Sequence, residues 1–373
     1  MAMTMATITT LTNEENQFYL SYQLFRGNKM KSKEKIVLGQ FFTKENSWLK
    51  TQVVEFIIKF DCKTAFDPFA GGGHLLESAK KLGIKNLIGM DIDTNLGWKF
   101  NDSLISIPHI DEQTIIITNP PYLSNYSASR KKIMDNVRMY FNSTNYDDLY
   151  LLALDNMLKA QKYVVAIIPE TFINSNYKQK YLLNSITILE DNPFDDTDTP
   201  VIVACFDGKV KPLSQINVYK NETLINDLDS IENMRLCPNN SIKLSFNDPN
   251  GWLAVRCVDS TNPNNMLKFD LKTNINYNWE CGIKVSSRLL TLIGLDIPES
   301  LRLLFIAECN NILNKLRKDT GDIILSPFKG NMKNGTRRRR LDFRTCRAII
   351  EIAYKNIMGS GCNGGRYGQL SLF

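Results

Sequence analysis

The stretch TAFDPFAGGGHLLESAKKLGIKNLIGMDID, residues 64–93, decides the fold. A short apolar run from Thr64 to Phe66 reads as a strand and leads into Asp67-Pro68-Phe69-Ala70-Gly71-Gly72-Gly73. A helix follows from about His74 to Leu82, and a second strand from Asn86 to Met90 ends at Asp91. Strand, glycine turn, helix and strand make the unit from which parallel sheets are wound. Glycines at such a turn let a ligand lie against bare main chain, with the N–H groups of the helix facing it. Asp91 stands about 20 residues after the glycines, the spacing at which an acidic side chain accepts hydrogen bonds from ribose hydroxyls. Together they imply a ligand containing adenosine. The loop is not G-x-G-x-x-G and no Walker lysine and serine follow it, which disfavours dinucleotides and ATP.

Outward from this unit the alternation continues. Ahead of it, Trp48, Leu49, Val53, Phe56, Ile57 and Phe60 recur at helical spacing, predicting an amphipathic helix from Glu45 to Phe60. The first 35 residues are polar and weakly periodic, as in an N-terminal arm. Behind it come a third element near Asp102 and the strand Ile115-Ile116-Ile117-Thr118. A long helix (Asp147 to Gln161) and the strands Tyr163 to Ile168 and Pro200 to Phe206 complete the series. The pattern predicts a doubly wound α/β domain over residues 36–208. After Gly208 Asn, Asp, Ser and Pro become frequent and the alternation stops, so a second domain is expected over residues 209–373. It has helices from Glu299 to Lys315 and from Phe343 to Met358, with a basic loop between them and a Gly-rich tail from Gly359.

Directly behind the isoleucine strand stands Asn119-Pro120-Pro121-Tyr122. At the carboxyl end of a strand it occupies the place where open α/β sheets build their sites. Pro121 drives Pro120 toward an extended conformation and both rings fix φ, so the Pro120 carbonyl has a nearly predetermined direction. Asn119 adds a side-chain acceptor and Tyr122 a flat face. Two fixed acceptors beside a stacking surface suit a planar substrate with an exocyclic amino group.

Composition narrows the classes. With 43% hydrophobic and 23% charged residues the 373-residue chain is ordinary for a soluble protein. Its net charge of +6 is mild, but Arg337-Arg338-Arg339-Arg340 lies close after Lys329 and Lys333, a stretch suited to an anionic polymer. Eight cysteines never reach CxxC spacing and only two histidines occur, so no zinc site is proposed. The Asp195-Asp196-Asp198 cluster is read as a solvated loop, not a metal site. With no signal peptide and no apolar run of membrane length, a cytoplasmic protein with reduced cysteines is expected.

The ordered set of features resembles the amino-group DNA methyltransferases of the γ arrangement, in which the motifs for S-adenosyl-L-methionine precede the catalytic loop and the target-recognition region comes last. "GQFFT" (Gly39 to Thr43), "DPFAGGGHLL", "MDID", "NDSL", "NPPY" and "DLY" (Asp148 to Tyr150) follow one another in that order between about residues 36 and 207. The resemblance implies a Rossmann-like methyltransferase fold with a mixed sheet and a C-terminal target-recognition domain. It assigns Phe42, Thr43, Asp67, Phe69, Ala70, Gly71, Gly73, Asp91, Ile92, Asp102 and Asn119 to the cofactor. Asn119, Pro120 and Tyr122 are assigned to catalysis, with Phe194 as a second aromatic face for the base. Ala70 and Gly72 replace the family's usual Cys and Ser, Lys44 stands where a Pro is common, and Ala153 stands near the place of an aromatic residue.

The expected activity is methylation of the N6 amino group of a flipped-out adenine in double-stranded DNA, within a restriction-modification system. The protein would act as a monomer, with a cognate restriction endonuclease working separately and a bacterial or viral host. Lys329, Lys333 and Arg337 to Arg340 are expected to contact phosphates. Protein glutamine and RNA adenine methyltransferases share or approach the tetrapeptide but generally lack a large C-terminal addition. A DNA-binding module with a vestigial cofactor fold is the non-enzymatic alternative.

Overall fold

A computed structural model describes residues 47–194, 197–279 and 289–359. Fifteen strands, labelled β1 to β15, and eight α-helices, labelled α1 to α8, lie in these residues. The central strand β4 (Thr114–Thr118) has every residue buried, three of them isoleucines. β-Branched side chains suit a pleated surface, and burial contributes about 1.5–3 kcal/mol for each such side chain. Its neighbours β1 (Thr64–Asp67) and β5 (Tyr163–Pro169) pair with it in parallel. With β2 (Asn86–Asp91), β3 (Lys99–Phe100), β6 (Leu183–Ile188), β7 (Val201–Phe206), β8 (Asn217–Lys220) and β9 (Thr223–Asp227) they form one sheet of order β3-β2-β1-β4-β5-β7-β6-β8-β9.

Strand order reverses between β1 and β4, and that reversal opens the crevice in which doubly wound sheets bind ligands. β7 runs antiparallel between β5 and β6, so the sheet is mixed. One face is covered by α1 (Thr51–Lys59) and α2 (His74–Lys81), with Trp48, Phe56, Leu75 and Leu76 against Ala65, Ile115 and Ile117. The other is covered by α5 (Leu149–Ala160), whose Tyr150, Leu154 and Met157 meet Phe66, Ile116 and Val164. The expected fold class, a doubly wound mixed α/β sheet, is present.

Two short helices that the periodicity did not reveal, α3 (Asn125–Arg130) and α4 (Met134–Asn142), carry the chain away from the Asn-Pro-Pro-Tyr loop. The sheet also runs past residue 208, where the second domain was expected to begin. β8 pairs in parallel with β6, and α6 (Leu228–Asn233) adds Leu228 and Ile231 to the same core. The polar residues there serve as turns and caps, with Asp227 Oδ1 accepting from Ser230 N–H at 2.8 Å, so their abundance did not mark the sheet's end.

Beyond it, β10 (Leu244–Phe246), β11 (Leu253–Arg256), β12 (Lys268–Leu271) and β13 (Leu290–Leu295) form an antiparallel sheet of order β10-β13-β11-β12. The helices α7 (Arg302–Asp319) and α8 (Phe343–Met358) pack Phe305, Leu313, Ile349 and Ile350 on one of its faces. A hairpin of β14 (Ser326–Asn331) and β15 (Arg337–Arg340) lies between them in sequence. Leu316, Ile323 and Ile324 join the core of the large sheet, binding the two parts together. Among the described residues no helix is long and apolar enough to cross a membrane.

Candidate functional site

At the end of β1 the Asp67 carboxylate is buried and accepts from Phe69 N–H at 3.0 Å and from Thr118 Oγ at 2.5 Å. The second bond crosses the crevice between β1 and β4. It ties the glycine loop to the residue immediately before Asn119. Burial pushes the Asp67 carboxyl up to about 7, against the opposing pull of these two hydrogen bonds.

The loop itself is held by its neighbours. Ala70 N–H donates to Met90 O at 2.9 Å, and Gly71 N–H donates to Asp91 Oδ2 at 2.8 Å. Asp91 Oδ1 accepts from Asp93 N–H at 2.8 Å, so the carboxylate at the tip of β2 has a set direction. Gly73 has φ of +80° and opens α2, and a Cβ there would stand 2.9 Å from the Trp98 ring. The same ring would meet a Cβ on Gly89 at 2.4 Å, and Trp98 Nε1–H donates to Gly71 O at 2.9 Å. Trp98 is thus a prop for the loop that sequence reasoning missed. Its only signal was a tryptophan just after two glycine-bearing segments.

Ile92 is 41% exposed beside Asp91, an apolar flank on the crevice rim. Phe69 is half-buried and packs toward the α5 side. Asp102 arrives through Ser103, whose Oγ–H donates to Pro68 O at 2.6 Å. Tyr140 of α4 donates its hydroxyl to Asp102 Oδ2 at 2.7 Å, while Leu104 N–H reaches Oδ1 at 3.1 Å. Burial raises the Asp102 carboxyl above its ordinary range. Tyr140, too, was missed. Ala153 is wholly buried in α5. Phe42, Thr43 and the rest of "GQFFT" lie outside the described residues, as do Asp195 and Asp196.

Asn119 is half-buried and Pro120 buried at the end of β4. Tyr122 donates its hydroxyl to Ile167 O on β5 at 2.7 Å, which fixes the ring beside the loop. Leu149 N–H donates to Leu123 O at 3.0 Å and Asn125 N–H to Asp147 O at 2.8 Å. The "DLY" segment therefore anchors the chain leaving the tetrapeptide. Phe194 is brought to Tyr122, but not as expected. It is 2% exposed, sits in the core on the α1 and α2 side, and meets Tyr122 edge to face with centroids 6.1 Å apart. Rings in that relation leave no slot for a base between them, so Phe194 backs Tyr122 and does not form a second stacking face.

The arginine run also needs correction. β15 alternates its side chains across the hairpin, as strands do. Arg337 and Arg339 are 4% and 1% exposed and turn inward onto Glu170, itself 1% exposed at the end of β5. Arg339 Nη1 bonds Glu170 Oε1 at 2.5 Å, Arg337 Nε lies 3.9 Å from Oε2, and Arg337 Nη2 donates to Leu189 O at 2.9 Å. Neither is presented to a phosphate. They join the C-terminal part to the large sheet.

Arg338 and Arg340 remain partly exposed, and Lys329 and Lys333 are exposed. Arg338 lies over Phe328 at 4.8 Å and donates Nε–H to Asp259 O at 2.8 Å. Lys131, just past α3, has its pKa lowered by burial and then by Lys329 and Arg130. That repulsion puts Lys131, which follows the Asn119 loop in sequence and was missed by sequence reasoning, in the same field as Lys329 of the hairpin.

No protein-family model matches the chain, and no curated protein matches it. Among solved structures, the chain is similar to a type I restriction-modification system methyltransferase subunit from Streptococcus thermophilus. They share 21% identity and a TM-score of 0.36, covering 58% of this chain and 55% of that one. It is also similar to the M protein of the type I restriction enzyme EcoKI, at 11% identity and a TM-score of 0.32, covering 84% of this chain and 82% of that one. The TrmN structure from Thermus thermophilus shares 16% identity and a TM-score of 0.27, over 42% of this chain and 48% of that one. The likeness is one of layout.

Proposed function

We propose that this chain is an S-adenosyl-L-methionine-dependent DNA methyltransferase that modifies the N6 amino group of an adenine turned out of the duplex. The observation that carries it is the Asp67–Thr118 hydrogen bond across the crevice. It joins a glycine loop flanked by two acidic side chains to a tetrapeptide with fixed acceptors and an aromatic face. One crevice thus offers a nucleoside seat and an amino-group seat on adjacent strands.

The residues fit such a cofactor. Gly71 and Gly73 both have positive φ and Gly72 between them is exposed, so bare main chain faces the ligand. Asp91 is suited to the ribose hydroxyls and Ile92 to the flank of the adenine. Asp102 is suited to the adenine amino group, in competition with the Tyr140 hydroxyl. When bound, the cofactor supplies an electrophilic methyl group on a positively charged sulfur.

The chain's own residues prepare the nucleophile. An exocyclic amino nitrogen is a poor nucleophile because its lone pair is delocalised into the ring. Asn119 Oδ1 and Pro120 O, accepting both amino hydrogens, favour the tetrahedral form and stabilise the positive charge that develops on nitrogen. No strong base is needed, because the methylated nitrogen is strongly acidic and its proton leaves to solvent by way of Asn119 Oδ1 or Pro120 O. Tyr122, tied to Ile167 O and backed by Phe194, stacks on the extruded base. Lys329, Lys333, Arg338 and Arg340 lie on the side of the hairpin that reaches solvent and are the candidates for phosphate contact.

The role as a restriction-modification methylase, working beside a separate endonuclease, is part of the same proposal. Incubation with radiolabelled S-adenosylmethionine and duplex DNA, followed by nucleoside analysis, tests it. Labelled N6-methyladenine is expected. Label in cytosine would change the target atom, and label only in RNA or protein would replace the substrate class.

A further inference from the structure

Outside the crevice, the described residues contain a cleft of about 320 Å³ in the C-terminal part. Tyr277 and Trp279 form one wall, meeting edge to face with centroids 4.7 Å apart. Arg256 of β11 and Arg338 of β15 contribute the cations, and Ser260 and Thr261 also line the cleft. Among the described residues the one acidic side chain in the lining, Asp259, is wholly buried, and both its oxygens are held by Arg317 at 3.0 Å. The described lining therefore carries net positive charge. Arg256 Nε is sealed from solvent and has no hydrogen-bond partner among the described residues.

We propose that this cleft binds a nucleotide of the DNA substrate other than the one that is methylated, its base against Tyr277 and Trp279 and its phosphate between Arg256 and Arg338. Base stacking on an aromatic wall and charge-assisted bonds from planar guanidinium groups are the two interactions that hold nucleotides. Charge complementarity identifies the occupant, since two guanidinium groups beside an aromatic wall suit a polymer that carries phosphate and base together. Arg338 Nη1 donates to Lys329 O at 3.3 Å, and Lys329 shares the electrostatic field of Lys131, which follows the Asn119 loop in sequence. Lys131 and Lys329 thus add cations that a phosphodiester backbone reaching the cleft would meet. The inference rests on the proposed DNA substrate and adds a second point of contact.

Arg256→Gln and Trp279→Ala variants of the full chain test it, with Trp279→Phe as the conservative control. Each of the first two is expected to raise the dissociation constant for duplex DNA about tenfold or more and to raise KM for DNA with kcat nearly unchanged. S-adenosylmethionine affinity should stay as in wild type, and Trp279→Phe should restore most of the DNA affinity. Unchanged Kd and KM in both variants, with methylation intact, would overturn the cleft while leaving the proposed function standing. Quenching of Trp279 fluorescence by free dAMP at concentrations as low as those of duplex DNA would also overturn it, as a free-nucleotide site. Failure of the wild-type protein to bind DNA would remove both.

Discussion

The open edge of the large sheet and the arginine hairpin are both dense in charge, and they use it in opposite ways. At the sheet edge, Asp91 and Asp102 are held by backbone N–H groups and by Tyr140, beside exposed Gly72 and Ile92. At the hairpin, half of a run of four arginines is folded inward around Glu170. On the proposed function the charge at the edge is set to meet a ligand, whereas half the charge of the hairpin is consumed in joining two parts of the chain. A run of like charge therefore says little about a partner until strand alternation has divided it.

The largest effect should come from breaking the inward half. Glu170→Ala leaves two buried guanidinium groups without their carboxylate, and a loss of about 3–5 kcal/mol is expected from urea denaturation. Arg338→Ala, next door on the outer side, gives up partly exposed contacts with Asp259 O and Phe328 and should cost only about 1–2 kcal/mol. Equal losses would erase the contrast. At the sheet edge, Gly89→Ala drives a methyl group into the Trp98 ring at 2.4 Å and should cost about 1–3 kcal/mol, again by denaturation. Adding Trp98→Phe to the same chain should recover part of that loss by making room.

A pH-dependent effect separates Asp67 from the surface acids. Its carboxyl is pushed up to about 7 in the folded chain, against 3.8 ordinarily. Between those values the folded state keeps a proton that the unfolded state has lost. Rising pH therefore lowers stability through this group, by at most about 1.4 kcal/mol per pH unit. Asp67→Asn should flatten that part of the stability curve between about pH 4 and 7, while an equal slope in both proteins would argue against the buried acid. Smallest of all, Lys333→Ala should weaken DNA binding modestly and reduce the slope of log K against log salt by about one. An unchanged slope would remove Lys333 from the interface.

Much of the sheet edge was legible because its physics is local. The run Ile115 to Thr118 reads as a buried strand, Gly71 to Gly73 reads as a turn, and Asp91 follows at a spacing set by one helix and one strand. The hairpin was not legible. Which arginines turn inward depends on pairing with β14 and on Glu170, which is 169 positions away from Arg339 in sequence. The same holds for Trp98 beneath the glycine loop and for Arg256 beside Trp279, whose meaning comes from residues that no local pattern connects. The short strands after residue 208 escaped because Asn and Asp, read as the sign of a boundary, were turns within a continuing sheet.

The central claim is that the glycine loop and the Asn119 tetrapeptide serve one methyl transfer. Asn119→Ala tests it most directly, with calorimetric titration of S-adenosylmethionine and transfer of labelled methyl groups to duplex DNA measured on the same preparation. The expected result is cofactor affinity within about twofold of wild type, with kcat reduced by about 10²–10³ or more. Methyl transfer at the wild-type rate would contradict the account.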